Sequence, residues 1–303
     1  MIKALGIGDN VCDIYIHTNL MYPGGQAFNF AANAKILGAE SAFIGVHGDD
    51  AAGRYIIETM KKRKIDYSHT RIYQREENGF ACVTLVDGDR VFIGSNKGGV
   101  LKRRPIQLTE DDLEYIAEFD IVHMSNNGFT DSELPKLKHR GPLVSYDFSY
   151  RWNEEERIDR VCPNVDFAFA SCSELNDEKI WDLLYKMHIK GCGVAIGTRG
   201  SDGAFVFDGK KQYRQLPKLV KPVDTMGAGD GFATAVMVAV AESLCGLEKT
   251  IWEQADFRAS VLPEALKTAA TFSAQCCLIH GGSGDGIKIP EEMWPRIKEV
   301  IAI

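Results

Sequence analysis

The segment Asp224-Thr225-Met226-Gly227-Ala228-Gly229-Asp230 sets three small residues ahead of an apolar run, GFATAVMVAVA, that reads as a helix. Small residues at a helix start leave its first backbone N–H groups open, and the helix dipole favours an anion there. Glycine also lets a phosphate approach the backbone closely. Asp230 falls in the first turn of the same helix, where a carboxylate can take the proton of an incoming hydroxyl. For a bare GxGD the plain alternative is a glycine-rich turn with an N-terminal charge. Two acids bracketing Thr-x-Gly-Ala-Gly are a more specific signal.

Three further patterns carry chemistry. Gly24-Gly25-Gln26-Ala27-Phe28-Asn29 opens a second helix (FNFAANAKIL) and puts Asn29 among apolar residues, where it hydrogen-bonds a substrate hydroxyl or faces solvent. Gly8-Asp9-Asn10-Val11-Cys12-Asp13 follows the first strand, and acids at a strand's carboxyl end can hold sugar hydroxyls. Gly6-Ile7-Gly8 hints at a dinucleotide-binding turn, but Val11 stands where its third glycine belongs. Thr198-Arg199-Gly200-Ser201-Asp202-Gly203 suits contact with a nucleotide phosphate or ribose, or is a plain β-turn between GVAIG and GAFVFD. The sequence contains no GxxxxGK[ST], HExxH or GxSxG and no paired metal-ligand spacing. His123, in IVHMS, reads as structural.

Such residues need elements to hold them. Short apolar runs at 4–8, 41–46, 120–125, 142–148, 166–171 and 193–198 lack alternation, as parallel strands covered on both faces do. Helical stretches lie between and after them, at 27–37, 51–62, 109–118, 173–190 and 229–243. Capping boxes are predicted at Thr109–Asp112 and Ser171–Glu174. The alternation predicts an α/β fold: a doubly wound, mostly parallel central sheet flanked by helices. Residues 71–100 break the rhythm and read as β-hairpins turning at Asp87-Gly88. With the alternating segment 13–22 they predict a small antiparallel β lid over the ligand edge of the sheet. Further helices are expected at 247–254, 263–279 and 291–301, with Gly281–Gly286 as a flexible stretch. The whole of 1–303 reads as one domain with a discontinuous lid.

Composition sets the outer bounds. The 303 residues carry 35 basic and 42 acidic side chains, a net charge of −7, which argues against a general nucleic-acid or anionic-membrane binder. Apolar residues are 45% and charged residues 25%, ordinary for a soluble globular chain. No run approaches the ~20 apolar residues of a membrane span, and Gly8 and Asp9 interrupt the start in a way a signal peptide does not. The eight cysteines form no CxxC pair and read as buried free thiols of a cytoplasmic protein.

In order along the chain, GDNVCD, GGQAFN, GVHGDDAAG (45–53), DFSYRW (147–152), SCSE, TRGSDG and DTMGAGD resemble the PfkB/ribokinase family of carbohydrate kinases, and the resemblance spans essentially the whole chain. It implies a ribokinase-like fold and an ATP-dependent kinase acting on a sugar, with ATP and Mg2+ as partners of the reaction. Asp230 matches the family's catalytic base, and Gly227, Ala228, Gly229 and the Asp230 N–H match its anion hole. Asp13, Gly24, Gly25, Asn29 and Arg151 match sugar-contacting positions, and Thr198, Gly200 and Gly203 match ATP-contacting ones. Glu174 matches the acid that organises Mg2+ through water, although Ser171 stands where many members have Asn. Asp224 matches a position near the loop for a monovalent cation, K+. Members commonly pair lids into a homodimer.

The stretches YDFSYRW, DFAFAS and GDD resemble the branch of the family that phosphorylates the 6-hydroxyl of glycated amino acids such as fructoselysine, whereas SNKGGV (95–100) and the section after Gly246 depart from it. Fructokinase, 2-keto-3-deoxygluconate kinase and nucleoside kinase activities are the alternatives within the family. Outside it stand a nicotinamide-dependent oxidoreductase and a non-catalytic sugar-binding sensor.

Overall fold

The structure, a computed structural model, describes residues 1–86 and 89–301, so the expected Asp87-Gly88 turn lies outside the described residues. Its main sheet has nine strands in the order β13 (Gln212–Gln215), β12 (Ala204–Phe207), β11 (Val194–Thr198), β10 (Phe167–Ser171), β9 (Leu143–Asp147), β8 (Ile121–Ser125), β1 (Lys3–Gly8), β4 (Glu40–Gly48) and β5 (Arg71–Tyr73). Neighbours from β11 through β5 are parallel, and β12 and β13 add antiparallel at one edge. Ala4, Leu5 and Ile7 of β1 are fully buried, because helices cover both faces of the sheet. Helices α1 (Gln26–Ile36), α8 (Ala228–Ser243) and α9 (Ala255–Cys276) pack on one face. Helices α3 (Gly99–Arg103), α4 (Glu110–Ile116), α5 (Leu134–Leu137), α6 (Glu155–Val161) and α7 (Asp177–Ile189) contribute to the core on the other.

The lid is a second sheet of five strands, ordered β14 (Ile287–Lys288), β3 (Leu20–Gly24), β2 (Val11–Tyr15), β6 (Gly79–Val86) and β7 (Asp89–Ser95). All its pairs are antiparallel except β2 with β6. Residues 71–73, grouped with the hairpins in sequence, pair instead with β4 of the main sheet. The C-terminal segment joins the lid. Strand β14 extends it, and α10 (Trp294–Ile301) packs so closely on β7 that a Cβ on Gly94 would lie 2.8 Å from the Val300 carbonyl oxygen. Cys12, Ile14, Phe80 and Cys82 turn one lid face toward α2 (Ala51–Arg63) and α10, in a core with Ile56, Met60 and Ile297. The alternate residues Tyr15, Tyr22 and Val83 form a small cluster on the other face.

Of the two predicted capping boxes one forms. Thr109 accepts from the Asp112 N–H, and Asp112 Oδ2 accepts from the Thr109 N–H at 2.8 Å. The Ser171–Glu174 box does not. Ser171 ends β10, where its carbonyl accepts from Trp152 Nε1 at 2.7 Å and the next residue's N–H, Cys172, donates to the Thr198 carbonyl at 2.7 Å. Those bonds hold the chain extended, so α7 starts only at Asp177, capped by Asn176. Helix α9 begins before the expected Pro263 and runs through it. Leu262, Ala265, Leu266 and Ala269 keep its apolar stripe in the core with α8, which offsets the hydrogen bond a proline removes. The expected helix at 247–254 is a 3-10 turn, Lys249–Glu253. All eight cysteines are free; six are buried, Cys277 is half-buried and Cys245 exposed. Among the described residues no helix is long and apolar enough to cross a membrane.

Candidate active site

The order of the main sheet reverses between β1 and β8. In such sheets a crevice opens at the strands' carboxyl ends at this point. Gly8 ends β1 with φ +144, and a Cβ there would lie 3.1 Å from Gly128 Cα in the turn after β8. Two helix N-termini, those of α1 and α8, meet in this crevice, as the bond between Asn29 and Asp230 shows: Asn29 Nδ2 donates to Asp230 Oδ2 at 2.7 Å.

The first helix start is satisfied internally. Asp9, 4% exposed, accepts from the Gln26 N–H (2.9 Å) and the Ala27 N–H (3.2 Å), and also from Ser125 Oγ (2.8 Å). Asp9 therefore caps α1, whose N-cap residue Gly25 has no side chain to do it. Gly25 sits at φ +103 with no room for a Cβ beside the Asp9 carbonyl. Its neighbour Gly24 is needed for a different reason: a Cβ there would lie 2.2 Å from Asp13 Oδ2. The glycine pair thus lets α1 begin close under the lid and leaves space for the Asp13 carboxylate. Asp13, 5% exposed, lies opposite Tyr22 in the β2–β3 ladder, on the lid face of Tyr15 and Tyr22. Asn29 is 3% exposed, which rules out the solvent-facing alternative.

The N-cap residue of α8 brings no side chain to cap it. Its N-cap is Gly227, at φ +71, and its first turn holds Ala228, Gly229 and Asp230. A Cβ on Gly227 would lie 2.5 Å from Gly282 Cα, whereas one on Gly229 would meet nothing within 4 Å. The turn is wedged on one side and open on the other. The open side faces a cleft of about 520 Å³, lined by Thr198, Gly200, Gly203, Lys218, Ala228 and Gly229 among others. Segment 198–203 is thus both the β11–β12 connection and a cleft wall. Gly203 (φ +90) admits no Cβ, because the Gln215 carbonyl oxygen would lie at 2.1 Å.

Two further expected site residues have other surroundings. Arg151 ion-pairs with Glu154 at 3.2 Å and lies over the Tyr150 ring. Glu174 is exposed in the turn after β10, between the cleft residue Ser173 and α7. Among the described residues no cluster of three or more His, Cys, Asp or Glu could by itself hold a metal ion. Mg2+ keeps several waters and shares phosphate oxygens, so a single exposed carboxylate next to the cleft residue Ser173 fits it. Asp224, matched to a position near the loop for a monovalent cation, holds three segments together. Its Oδ2 accepts from Tyr15 Oη (2.6 Å) and the Gly281 N–H (3.0 Å), and its Oδ1 from the Met226 N–H (2.9 Å).

Sequence reasoning placed Asp147, at the end of β9, in the motif DFSYRW but gave it no role. It is 8% exposed; burial and the nearby Asp230 charge push its carboxyl up to about 7, against pulls from the Ser149 N–H and Gln26. Its place at a strand's carboxyl end was the available signal. His123 is buried in β8, bonded to Ser145 Oγ at 2.8 Å, and held neutral by burial with a pKa of about 3.

The pfkB family carbohydrate kinase profile matches residues 3–287. Fructosamine kinase FrlD of Bacillus subtilis (strain 168) is 35% identical over 285 residues, covering 94% of this chain and 94% of its own. Fructoselysine 6-kinase of Escherichia coli (strain K12) is 32% identical over 278 residues, covering 91% of this chain and 97% of its own. Among solved structures, Arabidopsis thaliana ribokinase complexed with ribose and ATP superposes with a TM-score of 0.74 at 23% identity, over 92% of this chain and 93% of that one.

Proposed function

Since the chain belongs to the pfkB family of carbohydrate kinases and is an ATP-dependent sugar kinase, we propose that it phosphorylates the 6-hydroxyl of a fructosyl-amino acid such as fructoselysine, with Asp230 as the base. The observation that carries the mechanism is the Asn29–Asp230 bond at the open start of α8. It sets a carboxylate between the lid that would hold a sugar and the cleft that would hold a nucleotide. The substrate assignment is supported by the fructosamine and fructoselysine kinases among the relatives.

ATP lies in the cleft along Thr198, Gly200 and Gly203, with Lys218 on the same wall. Its γ-phosphoryl group meets the Gly227–Asp230 amides, which the macrodipole of α8 makes attractive to an anion. The sugar lies under the lid against Asp13, Asn29 and the Gly24-Gly25 backbone, with its primary hydroxyl toward Asp230. Asp230 takes that proton as the oxygen attacks phosphorus in line and ADP departs. Asn29 keeps one carboxylate oxygen engaged and so fixes the other's direction. Glu174 would hold Mg2+ through water, and the ion would supply charge neutralisation when bound. Positioning and electrostatics do most of the work in such transfers. Arg151, paired with Glu154 in the ligand-free protein, is a further candidate for the sugar. The edge strand β7 exposes Phe92 to 60%, which supports the lid as the contact of a homodimer.

ADP release across fructoselysine, other fructosyl-amino acids, fructose, 2-keto-3-deoxygluconate, ribose and adenosine tests the reading. Fructosyl-amino acids should give a kcat/KM at least tenfold above free fructose. A higher value for another sugar would discard the substrate and keep the mechanism. Sugar binding with no turnover at all would make the protein a sensor.

A further inference from the structure

Asp224 is 7% exposed and Tyr15 is 3% exposed, and they meet across 209 residues of chain. The three donors on Asp224 come from three different segments. Tyr15 Oη belongs to lid strand β2, the Gly281 N–H to the glycine-rich loop after α9, and the Met226 N–H to the turn that leads into Gly227. Each contact passes on to the reaction centre. Met226 immediately precedes the N-cap of α8. Gly282, next to Gly281, wedges Gly227, and it also packs on Asn29: a Cβ at 282 would lie 2.4 Å from Asn29 Nδ2. Asn29 in turn holds Asp230. One buried carboxylate therefore touches the lid on one side and, on the other, the residue before the anion-binding turn and the glycine loop that packs against it.

We propose that the Tyr15–Asp224 hydrogen bond is a latch that couples closure of the lid over the sugar to assembly of the phosphoryl-binding turn Gly227–Asp230. Tyr15 is a positioning residue: its hydroxyl acts through Asp224. Hydrogen bonds to an ionised carboxylate are strong, and removing one partner from a buried charge is costly. Lid opening would carry Tyr15 away with β2 and take this donor from Asp224. Tyr15 shares its lid face with Asp13, so a sugar held by Asp13 favours the closed lid and, through Asp224, the ordered turn. Transfer to water would be suppressed because the turn is completed only when the acceptor is in place. The latch rests on the reading that the acceptor lies under the lid, and is independent of which sugar it is.

Amide hydrogen exchange at residues 226–230, with and without a sugar that is turned over, reads the coupling without catalysis. Sugar alone should protect these amides at least fivefold in the wild type. In Tyr15→Phe the same sugar should bind with its Kd changed less than threefold, the protection should vanish, and kcat should fall about tenfold. Adding Tyr15→Phe to Asp224→Asn should change kcat less than twofold further. Unprotected amides in a wild type that turns over normally would overturn the latch alone, with no variant needed. So would a Tyr15→Phe protein with full protection and kcat within twofold. A wild type that turns over no sugar of the panel would overturn the sugar-kinase reading along with it, and that shows first in the ADP assay.

Discussion

Replacing Asp147 by Asn should flatten the pH dependence of stability. Asp147 ends β9 nearly out of contact with water, and its carboxyl is pushed from 3.8 to about 7, first by burial and then by the charge of Asp230. Below pH 4 the carboxyl is protonated in folded and unfolded chains alike and contributes no difference. As pH rises from about 4 to about 7, the unfolded chain ionises while the folded one stays protonated, so stability falls with rising pH. At about 1.4 kcal/mol per pH unit, the folded state is disfavoured by on the order of 4 kcal/mol above pH 7. Asn keeps the oxygen that accepts from the Ser149 N–H at 2.6 Å and has no charge to bury. Urea denaturation of the ligand-free proteins at pH 5 and pH 8 checks it. The stability of Asp147→Asn relative to wild type should rise by about 3 kcal/mol between those pH values, near 5 °C in Tm for a chain of this size. Curves for the two proteins that stay parallel from pH 5 to pH 8 would refute the reasoning, because an Asp147 ionised at pH 5 is not desolvated as the geometry requires.

Other substitutions separate the parts of the site. Gly203→Ala forces a side chain into a φ +90 turn against the Gln215 carbonyl; KM for ATP should rise fivefold or more, with sugar affinity, read by calorimetry, unchanged. Gly227→Ala meets Gly282 at the start of α8, and kcat should fall at least 100-fold in a coupled ADP assay. Thr109→Ala removes the cap of α4, far along the sheet from the cleft. It should cost about 1 kcal/mol of stability in denaturant titration and leave kcat and KM as they were.

Much of this site was legible because its motifs are backbone requirements written in glycine. Gly24 and Gly25 mark the close approach of Asp13 and Asp9, and Gly227 marks the wedge against Gly282. Apolar runs without alternation gave the parallel strands, and Thr109–Asp112 gave a helix start. What remained hidden depends on distant pairs. Nothing local tells that Tyr15 reaches Asp224, that Asn29 turns inward to Asp230, or that Asp9 caps a helix 17 residues on. The recruitment of β14 and α10 to the lid was invisible for the same reason, since a two-residue strand carries no periodicity. The Ser171–Glu174 signal failed because a local capping pattern lost to the ladder contacts of β10 with β11.

The proton-accepting role of Asp230 is tested most directly by single-turnover phosphorylation of the preferred fructosyl-amino acid by wild type and Asp230→Asn, with sugar and ATP affinities measured in parallel. Asn keeps an oxygen for Asn29 but cannot accept the hydroxyl proton. Phosphoryl transfer should slow by about 10³-fold or more, with both Kd values changed less than threefold. A variant that transfers phosphate within tenfold of wild type would contradict the account, since the proton would then be leaving by another route.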